Sequence, residues 1–280
     1  MNYRKIDINS SLIFFLIAHL IIWTLVPSIS NTNLPLDTIE ALAWGSDLDW
    51  GYNKHPPASA WLVKGLFQIF GNQDWVYYFL SQLFVVSSFF IVYKFSEDFF
   101  KNRIFSLISI LLLEGIYFHN FTTPEFNVYV CQLPFRALTV YFCWKSFKNN
   151  DIQSWLLFGV FAALGFLSHY LFLYLLIATT IFFIFVITKK KKFNLKYFIP
   201  GTLFLILILP HLVWLMENNY TTLNYAFHRT GLSESTYFNH LFHPFIFLVK
   251  QIGILLPFLF MFLIIVSKVK IKLQKKNQKL

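Results

Sequence analysis

Residues 34–70 read LPLDTIEALAWGSDLDWGYNKHPPASAWLVKGLFQIF and lie between the first two hydrophobic segments of the chain. Only 13% of all residues are charged, yet this stretch concentrates ionisable side chains among tryptophan and tyrosine. So dense a cluster of charge in so apolar a chain indicates a chemical role. The ionisable residues include Asp37, Glu40, Asp47, Asp49, Lys54 and His55.

The composition predicts a membrane protein. Of 280 residues, 57% are hydrophobic and 21% aromatic, whereas soluble domains contain about 45–50% apolar residues. A helix needs roughly 20 apolar residues to cross a hydrocarbon core of about 30 Å, and several runs approach that length. The net charge of +10 comes from lysines at the ends of these runs. This pattern favours anchoring at a membrane surface over nucleic-acid binding.

The hydrophobic runs predict an all-α, polytopic integral membrane helix bundle in a single domain over residues 1–280. One run, 155–187, is long enough to be one helix or two. Because a single crossing would place two lysine clusters on the outer side, we predict two short helices that meet near His169 and Tyr170. The eight predicted spans are 12–29, 75–93, 104–118, 128–144, 155–169, 171–187, 197–216 and 245–267.

The basic residues predict the orientation of the bundle. Most of the 23 basic residues fall on one side if both termini are cytoplasmic, as in a bacterial plasma membrane. Loops 30–74, 119–127 and 217–244 are then extracytoplasmic, and the basic tail 268–280 is cytoplasmic. The first loop should contain two short interfacial helices. One covers 37–44 and ends at Gly45, and the other begins at Pro56 or Pro57 and ends at Gly71.

Asp37 and Glu40 are three residues apart and share one face of the first short helix. They could act as a general base and its supporting partner. The same spacing is typical of a capping box, in which the two side chains only cap the helix start. The spacing alone leaves both interpretations open.

Lys54 and His55 precede two prolines, which favour an extended backbone just before a helix N-terminus. The partial positive charge of that terminus and the lysine suit an anion such as a phosphate. Lys54 could instead extend toward lipid headgroups.

Arg136 and Glu114 lie within predicted spans, where charged groups are costly. They could form a structural ion pair, or Arg136 could face a lipid phosphate.

The sequence contains no clear metal or nucleotide site. His240 and His243 have the i, i+3 spacing of metal ligands, but no cysteine or carboxylate pattern accompanies them. We therefore predict no metal site, although a divalent cation stays possible as a cofactor. The chain lacks a P-loop, a nucleotide-binding glycine pattern and a serine-nucleophile elbow.

Five segments occur in an order that resembles a known family. They are LDTIEALAWG (36–45), WGYNKHPPASAWL (50–62), PEFNVYVCQLPFRALTVYFCW (124–144), LGFLSHY (164–170) and PHLVWLMENNYTTLNYAFHR (210–229). Together they resemble the membrane-embedded GT-C glycosyltransferases of the protein O-mannosyltransferase-like group, glycosyltransferase family 39. The second segment is the most specific.

The resemblance implies transfer of a sugar from a polyprenyl-phosphate carrier to a lipid, glycan or protein acceptor at the extracytoplasmic face. It assigns the catalytic base to Asp37 or Glu40, with Asp37 preferred. Relatives often have adjacent Asp and Glu there, whereas Thr38 and Ile39 separate the two here. The residues assigned to donor phosphate and substrate are Tyr52, Lys54, His55, Glu125, Asn127, Arg136 and His169.

Two other functions fit the same features. One is a non-catalytic or flippase-like protein that binds the lipid carrier, in which the basic residues would contact its phosphate. The other is an accessory subunit that has kept the fold and lost the activity. Both predict the same membrane partners.

Overall fold

The computed structural model of the chain describes residues 7–190, 194–229 and 237–268, and the regular elements in these ranges are all helices. Short 3-10 helices at Tyr117–His119 and Leu195–Phe198 complete them. The α-helices are α1 (Ile8–Ser30), α2 (Leu36–Trp44), α3 (Ala58–Phe70), α4 (Asp74–Phe100), α5 (Arg103–Glu114), α6 (Val128–Asn149), α7 (Ile152–Ser168), α8 (Phe172–Lys190), α9 (Ile199–Glu217), α10 (Thr221–Arg229) and α11 (Tyr237–Lys268).

The two short helices predicted in the first loop are present as α2 and α3. Helix α2 follows Pro35 and ends at Gly45. Helix α3 follows Pro57 and ends at Gly71, which has a φ of +67°. Only glycine adopts that backbone region without strain, so it stops the helix. Local proline and glycine signals thus set the limits of both helices.

The long hydrophobic run 155–187 consists of two helices, as predicted from charge. Helix α7 ends at Ser168, and His169 has an extended backbone with φ −166°. Helix α8 then begins at Phe172. The break places His169 and Tyr170 at one end of the helix pair.

Five helical segments of the described residues are long and apolar enough to cross a membrane, which makes the chain an integral membrane protein. They are Ile8–Ser30, Asp74–Phe100, Phe172–Lys189, Leu195–Glu217 and His240–Ser267. The predicted total of eight is not confirmed. Helix α5 has only 12 residues, about 18 Å at 1.5 Å per residue. Helix α7 has 17 residues, and α6 is the most polar of the three.

Helix α6 lies at the centre of the bundle and packs between α4 and α7. Helix α9 packs on α7, whereas α1 and α5 pack on α4. Helix α11 touches the rest of the bundle mainly at α5, where a Cβ on Gly115 would lie 2.8 Å from the Met261 sulfur. One core of buried side chains therefore joins the helices that surround α6.

Parts of the predicted loops and basic segments fall outside the described residues. These parts are residues 1–6, 191–193, 230–236 and 269–280. In the third loop, α10 and the beginning of α11 are described, so the last helix starts at Tyr237 rather than at the predicted 245.

The close approach of α7 and α9 at Gly159 predicts a sensitivity to side-chain size. A Cβ at Gly159 would lie 2.8 Å from the Pro200 carbonyl oxygen, so Gly159→Ala must push backbone apart. Overpacking of this kind costs about 1–3 kcal/mol. We expect a lower melting temperature (Tm) in detergent. Gly201→Ala is the matched control, because its Cβ would meet no atom within 4 Å; an equal fall in Tm there would contradict the packing argument.

Candidate active site

A narrow cleft lies where α2, α3 and the start of α6 meet. It brings together residues that are far apart in the chain. The lining residues are Asp37, Glu40, Ala41, Trp44, His55, Ser59, Asn127 and Val128. Four of the predicted site residues therefore share one cavity.

Helix α2 is held in place by the second loop, residues 119–127. The Thr38 hydroxyl donates to the Phe126 carbonyl at 3.1 Å, and this contact is buried. The backbone N–H of Asp37 donates to the Glu125 carboxylate at 3.0 Å. No side chain of α2 caps its own first turn, so the capping-box interpretation of Asp37 and Glu40 is wrong. A carboxylate from another loop satisfies that turn instead.

Lys54 and Glu40 form an ion pair at the rim of the cleft, with 2.5 Å between Nζ and Oε1. The hydrogen bond to Glu40 raises the pKa of Lys54 above its ordinary value. The ammonium group also lies 5.8 Å from the centre of the Tyr225 ring. None of the residues that the structure describes donates a hydrogen bond to the Asp37 carboxylate. The Glu40 carboxylate is thus paired with Lys54, whereas the Asp37 carboxylate is available to accept a hydrogen bond from a ligand.

The His55 ring lies between Trp44, at 5.7 Å between ring centres, and His169, at 5.4 Å. Burial lowers the pKa of His55 to about 4, so its ring is neutral near pH 7. In the described ranges neither ring nitrogen has a hydrogen-bond partner. His55 can therefore offer a neutral N–H donor to a ligand but no positive charge.

His169 extends the row of rings toward Tyr129, at 4.9 Å between ring centres. Its Nδ1 accepts the backbone N–H of Leu171 at 3.0 Å. That contact leaves the proton of a neutral ring on Nε2, which is a donor. His169 thus lies next to the cleft, although it is not part of its lining.

Arg136 lies seven residues after Tyr129 on α6, about 10 Å further along the helix at 1.5 Å per residue. Its guanidinium Nε donates to Gln132 at 3.0 Å, and its side chain is exposed on the bundle surface. Glu114 pairs with His19 at 2.9 Å. The predicted alternative of an Arg136–Glu114 ion pair is therefore wrong. Arg136 acts electrostatically on His169, which places it on the same side of the bundle.

Tyr52 and Glu125 lie beside the cleft without lining it. The Tyr52 hydroxyl donates to the Asp47 carbonyl at 2.9 Å, and its ring stacks on Trp44 at 5.9 Å. Through these contacts Tyr52 supports Trp44, which lines the cleft. Burial raises the pKa of Glu125, and the hydrogen bond from Asp37 only partly offsets this. Asn127 lines the cleft, and its side-chain oxygen caps α6 by accepting from Tyr129 N at 3.0 Å.

Two lining residues were not singled out from the sequence. Ser59 is 1% exposed, and its hydroxyl has no partner among the described residues. Trp44 contacts both His55 and Tyr52. Ser59 follows two prolines and resembles an ordinary residue of a first helical turn, so only tertiary structure reveals its place. Within the described ranges, no three His, Cys, Asp or Glu side chains come close enough to hold a metal ion.

The lowered pKa of His55 predicts how stability depends on pH. The folded protein binds a proton at His55 only near pH 4, whereas an unfolded chain binds one near pH 6.5. Stability from the neutral ring is therefore present above pH 6.5 and lost as pH falls toward 4. We expect His55→Gln to flatten the curve of Tm against pH in this window. His228→Gln, at an exposed histidine outside the cleft, should leave the curve as in the wild type; an unchanged curve in His55→Gln would contradict the assignment.

Comparison with known proteins identifies the family. The family model for dolichyl-phosphate-mannose-protein mannosyltransferase matches residues 54–214, which is more than half of the chain. The matched range includes Lys54, His55, Arg136 and His169 and begins after the two α2 carboxylates. No curated protein and no solved structure matches the chain. The chain therefore belongs to the dolichyl-phosphate-mannose-protein mannosyltransferase family, within the GT-C group of membrane glycosyltransferases.

Proposed function

We propose that this membrane glycosyltransferase takes a sugar from a polyprenyl-phosphate carrier and transfers it to a hydroxyl group of an acceptor. The observation that carries the proposal is the shared cleft of Asp37, Glu40 and His55, with Lys54 paired to Glu40 at its rim. A lipid-phosphate sugar is already activated. Its transfer therefore needs a base for the acceptor and donors for the departing phosphate.

Asp37 is the proposed catalytic base. Its carboxylate accepts no hydrogen bond from the described residues, whereas Glu40 holds Lys54. The acceptor oxygen attacks the anomeric carbon while the bond from that carbon to the phosphate oxygen breaks. The hydroxyl proton passes to Asp37, and the polyprenyl phosphate leaves with the bonding electrons. Glu40 is the alternative base and, in this scheme, orients Lys54.

The residues proposed to donate hydrogen bonds to the phosphate differ in charge. Lys54 supplies a positive charge, and neutral His55 supplies an N–H. Arg136 and the Nε2 proton of His169 lie further along the same side and would receive the phosphate or the first part of the lipid. The unpartnered hydroxyl of Ser59 is available for a sugar hydroxyl. Glu125 and Asn127 act on the site by holding α2 and α6.

We place the cleft on the extracytoplasmic side of a plasma membrane, as in bacteria, with both termini in the cytoplasm. The support for this orientation is the distribution of lysine and arginine at the ends of the hydrophobic segments. A polyprenyl carrier dissolved in the bilayer can reach a cleft at the membrane boundary without leaving the lipid.

Substitution of the two carboxylates tests the base. Purified protein in lipid vesicles is incubated with polyprenyl-phosphate mannose and with peptide, glycan and lipid acceptors. Asp37→Asn should lower kcat by about 10²–10⁴-fold, the contribution typical of a general base. Glu40→Gln should have a smaller effect on kcat and raise KM for the donor.

Asp74→Asn, at an exposed carboxylate at the start of α4, is the matched control and should retain wild-type kcat. Transfer that survives both Asp37→Asn and Glu40→Gln would remove the proposed chemistry. A wild-type protein that binds the donor but transfers nothing would favour the accessory-subunit alternative.

Lys54→Met tests the phosphate contact separately from folding. Partly exposed ion pairs contribute only about 0.2–1 kcal/mol to stability, so Tm should fall little. The loss of a cation at the phosphate should raise KM for the donor at least tenfold. Lys64→Met, on the neighbouring helix α3 and outside the cleft, should change neither value. Equal kinetics in the two variants would show that Lys54 only contacts headgroups.

A further inference from the structure

A chain of polar side chains links α1, α4 and α5 away from the cleft, and its members His19 and Gln82 are buried. His19 of α1 is 4% exposed and contacts Glu114 of α5 at 2.9 Å through Nδ1 and Gln82 of α4 at 3.2 Å through Nε2. Gln82 is fully buried and donates to the carbonyl and the hydroxyl of Thr123 at 3.0 and 3.3 Å. Polar side chains inside a membrane protein cost free energy, so a connected set of them indicates a structural or functional role.

The acceptors in this chain fix the positions of its protons. The Thr123 carbonyl can only accept, so the amide nitrogen of Gln82 faces it and the amide oxygen faces His19. The Nε2 of His19 must therefore carry a proton. The contact between Nδ1 and Glu114 then holds one more proton, either as imidazolium with carboxylate or as neutral imidazole with carboxylic acid. In both forms the pair has no net charge, which suits the burial of His19.

Thr123 belongs to the second loop, which is tied to the bundle at several points. The hydroxyl of Ser81 also donates to the Thr123 carbonyl. The Thr123 hydroxyl donates to the Asn120 carbonyl at 2.7 Å, and the Asn120 amide donates to the Glu114 carbonyl at 2.6 Å. The loop is thus locked to α4 and α5 on one side.

The other side of the same loop holds α2. Phe126 is fully buried and accepts the Thr38 hydroxyl, and Glu125 accepts the Asp37 N–H. Glu125 and Phe126 follow Thr123 by only two and three positions in the chain. A shift of the loop therefore moves the first turn of α2 and both of its carboxylates.

We propose that His19, Gln82 and Glu114 are positioning residues, which set the conformation of residues 119–127 and through it the place of Asp37 and Glu40. The inference rests on the proposed function for its kinetic consequence. Its structural part, the coupling of a buried polar chain to α2, stands independently. The nearby ionisable groups that act on Glu114 and His19 include His119, whose ring stacks on Phe89 at 5.6 Å.

The test compares two substitutions of one residue in the full-length protein in lipid vesicles. Glu114→Ala removes the partner of Nδ1. Glu114→Gln keeps it, because the new amide can donate to Nδ1 of a neutral ring. Gln82→Leu removes the link to Thr123 and keeps the volume. Glu97→Ala is the matched control, since it breaks a carboxylate pair with Lys94 and Arg103 that does not contact the second loop.

Two measurements are made on each variant. Hydrogen–deuterium exchange reports the protection of residues 36–44 and 119–127, and transfer from polyprenyl-phosphate mannose gives kcat and KM. We expect Glu114→Ala and Gln82→Leu to exchange faster in both segments and to lose at least tenfold in kcat, with KM for the donor within twofold. Glu114→Gln and Glu97→Ala should retain wild-type exchange in these segments and kcat within threefold.

Unchanged exchange in Glu114→Ala would overturn the proposal, as would faster exchange with wild-type kcat. An equal loss in Glu114→Gln would show that the charge itself is needed and would also overturn it. If the wild type transfers no sugar while exchange responds as expected, the proposed function fails and the positioning of α2 stands. A general fall in Tm with faster exchange throughout the bundle would indicate a merely structural role.

Discussion

The hydrogen bonds between α2 and the second loop decide where the two carboxylates lie. Helix α2 has nine residues, and isolated helices shorter than about 12 residues are marginal in water. Its position therefore depends on what holds it. A hydroxyl of α2 is bound to the carbonyl of Phe126, and the N–H of Asp37 is bound to Glu125. The remainder of the site follows, because α3 packs on α2 and brings its first turn to the same cleft.

Lys54 and Glu40 offset each other's charge at the rim of the cleft, and the Asp37 carboxylate is in no ion pair with the described residues. An unpaired ammonium group at the edge of an apolar bundle is costly, and Glu40 offsets this cost at 2.5 Å. A donor phosphate would compete with Glu40 for Lys54, so binding exchanges one ion pair for another. His55 adds a donor without adding charge, since burial keeps its pKa near 4. In the proposed reaction, one cation and one neutral donor would thus bind the donor phosphate, which leaves with the polyprenyl group.

The elements that could be predicted from sequence are those set by local signals. Gly45 and Gly71 end α2 and α3, and the prolines before each helix mark its start. The lysine pattern correctly divided the run 155–187 near His169. Contacts between side chains that are distant in the chain are not predictable from such local signals. An ion pair with Arg136 is one interpretation of Glu114 from the sequence, since both are intramembrane charges, yet the partner of Glu114 is His19, which is 95 residues away in the chain.

Polar groups also explain why hydropathy does not identify α6 as a span. Hydropathy identifies a helix by the absence of polar groups, but the central helix α6 carries Gln132 and Arg136 beside the proposed site. Helix α5 ends at Glu114, whose side chain reaches the buried His19. Helix α5 has only 12 residues and α7 has 17, so length separates these two from the five long spans. The polar groups of α6 lower its hydropathy, whereas α1 and α4 supply His19 and Gln82 and keep the composition of a span.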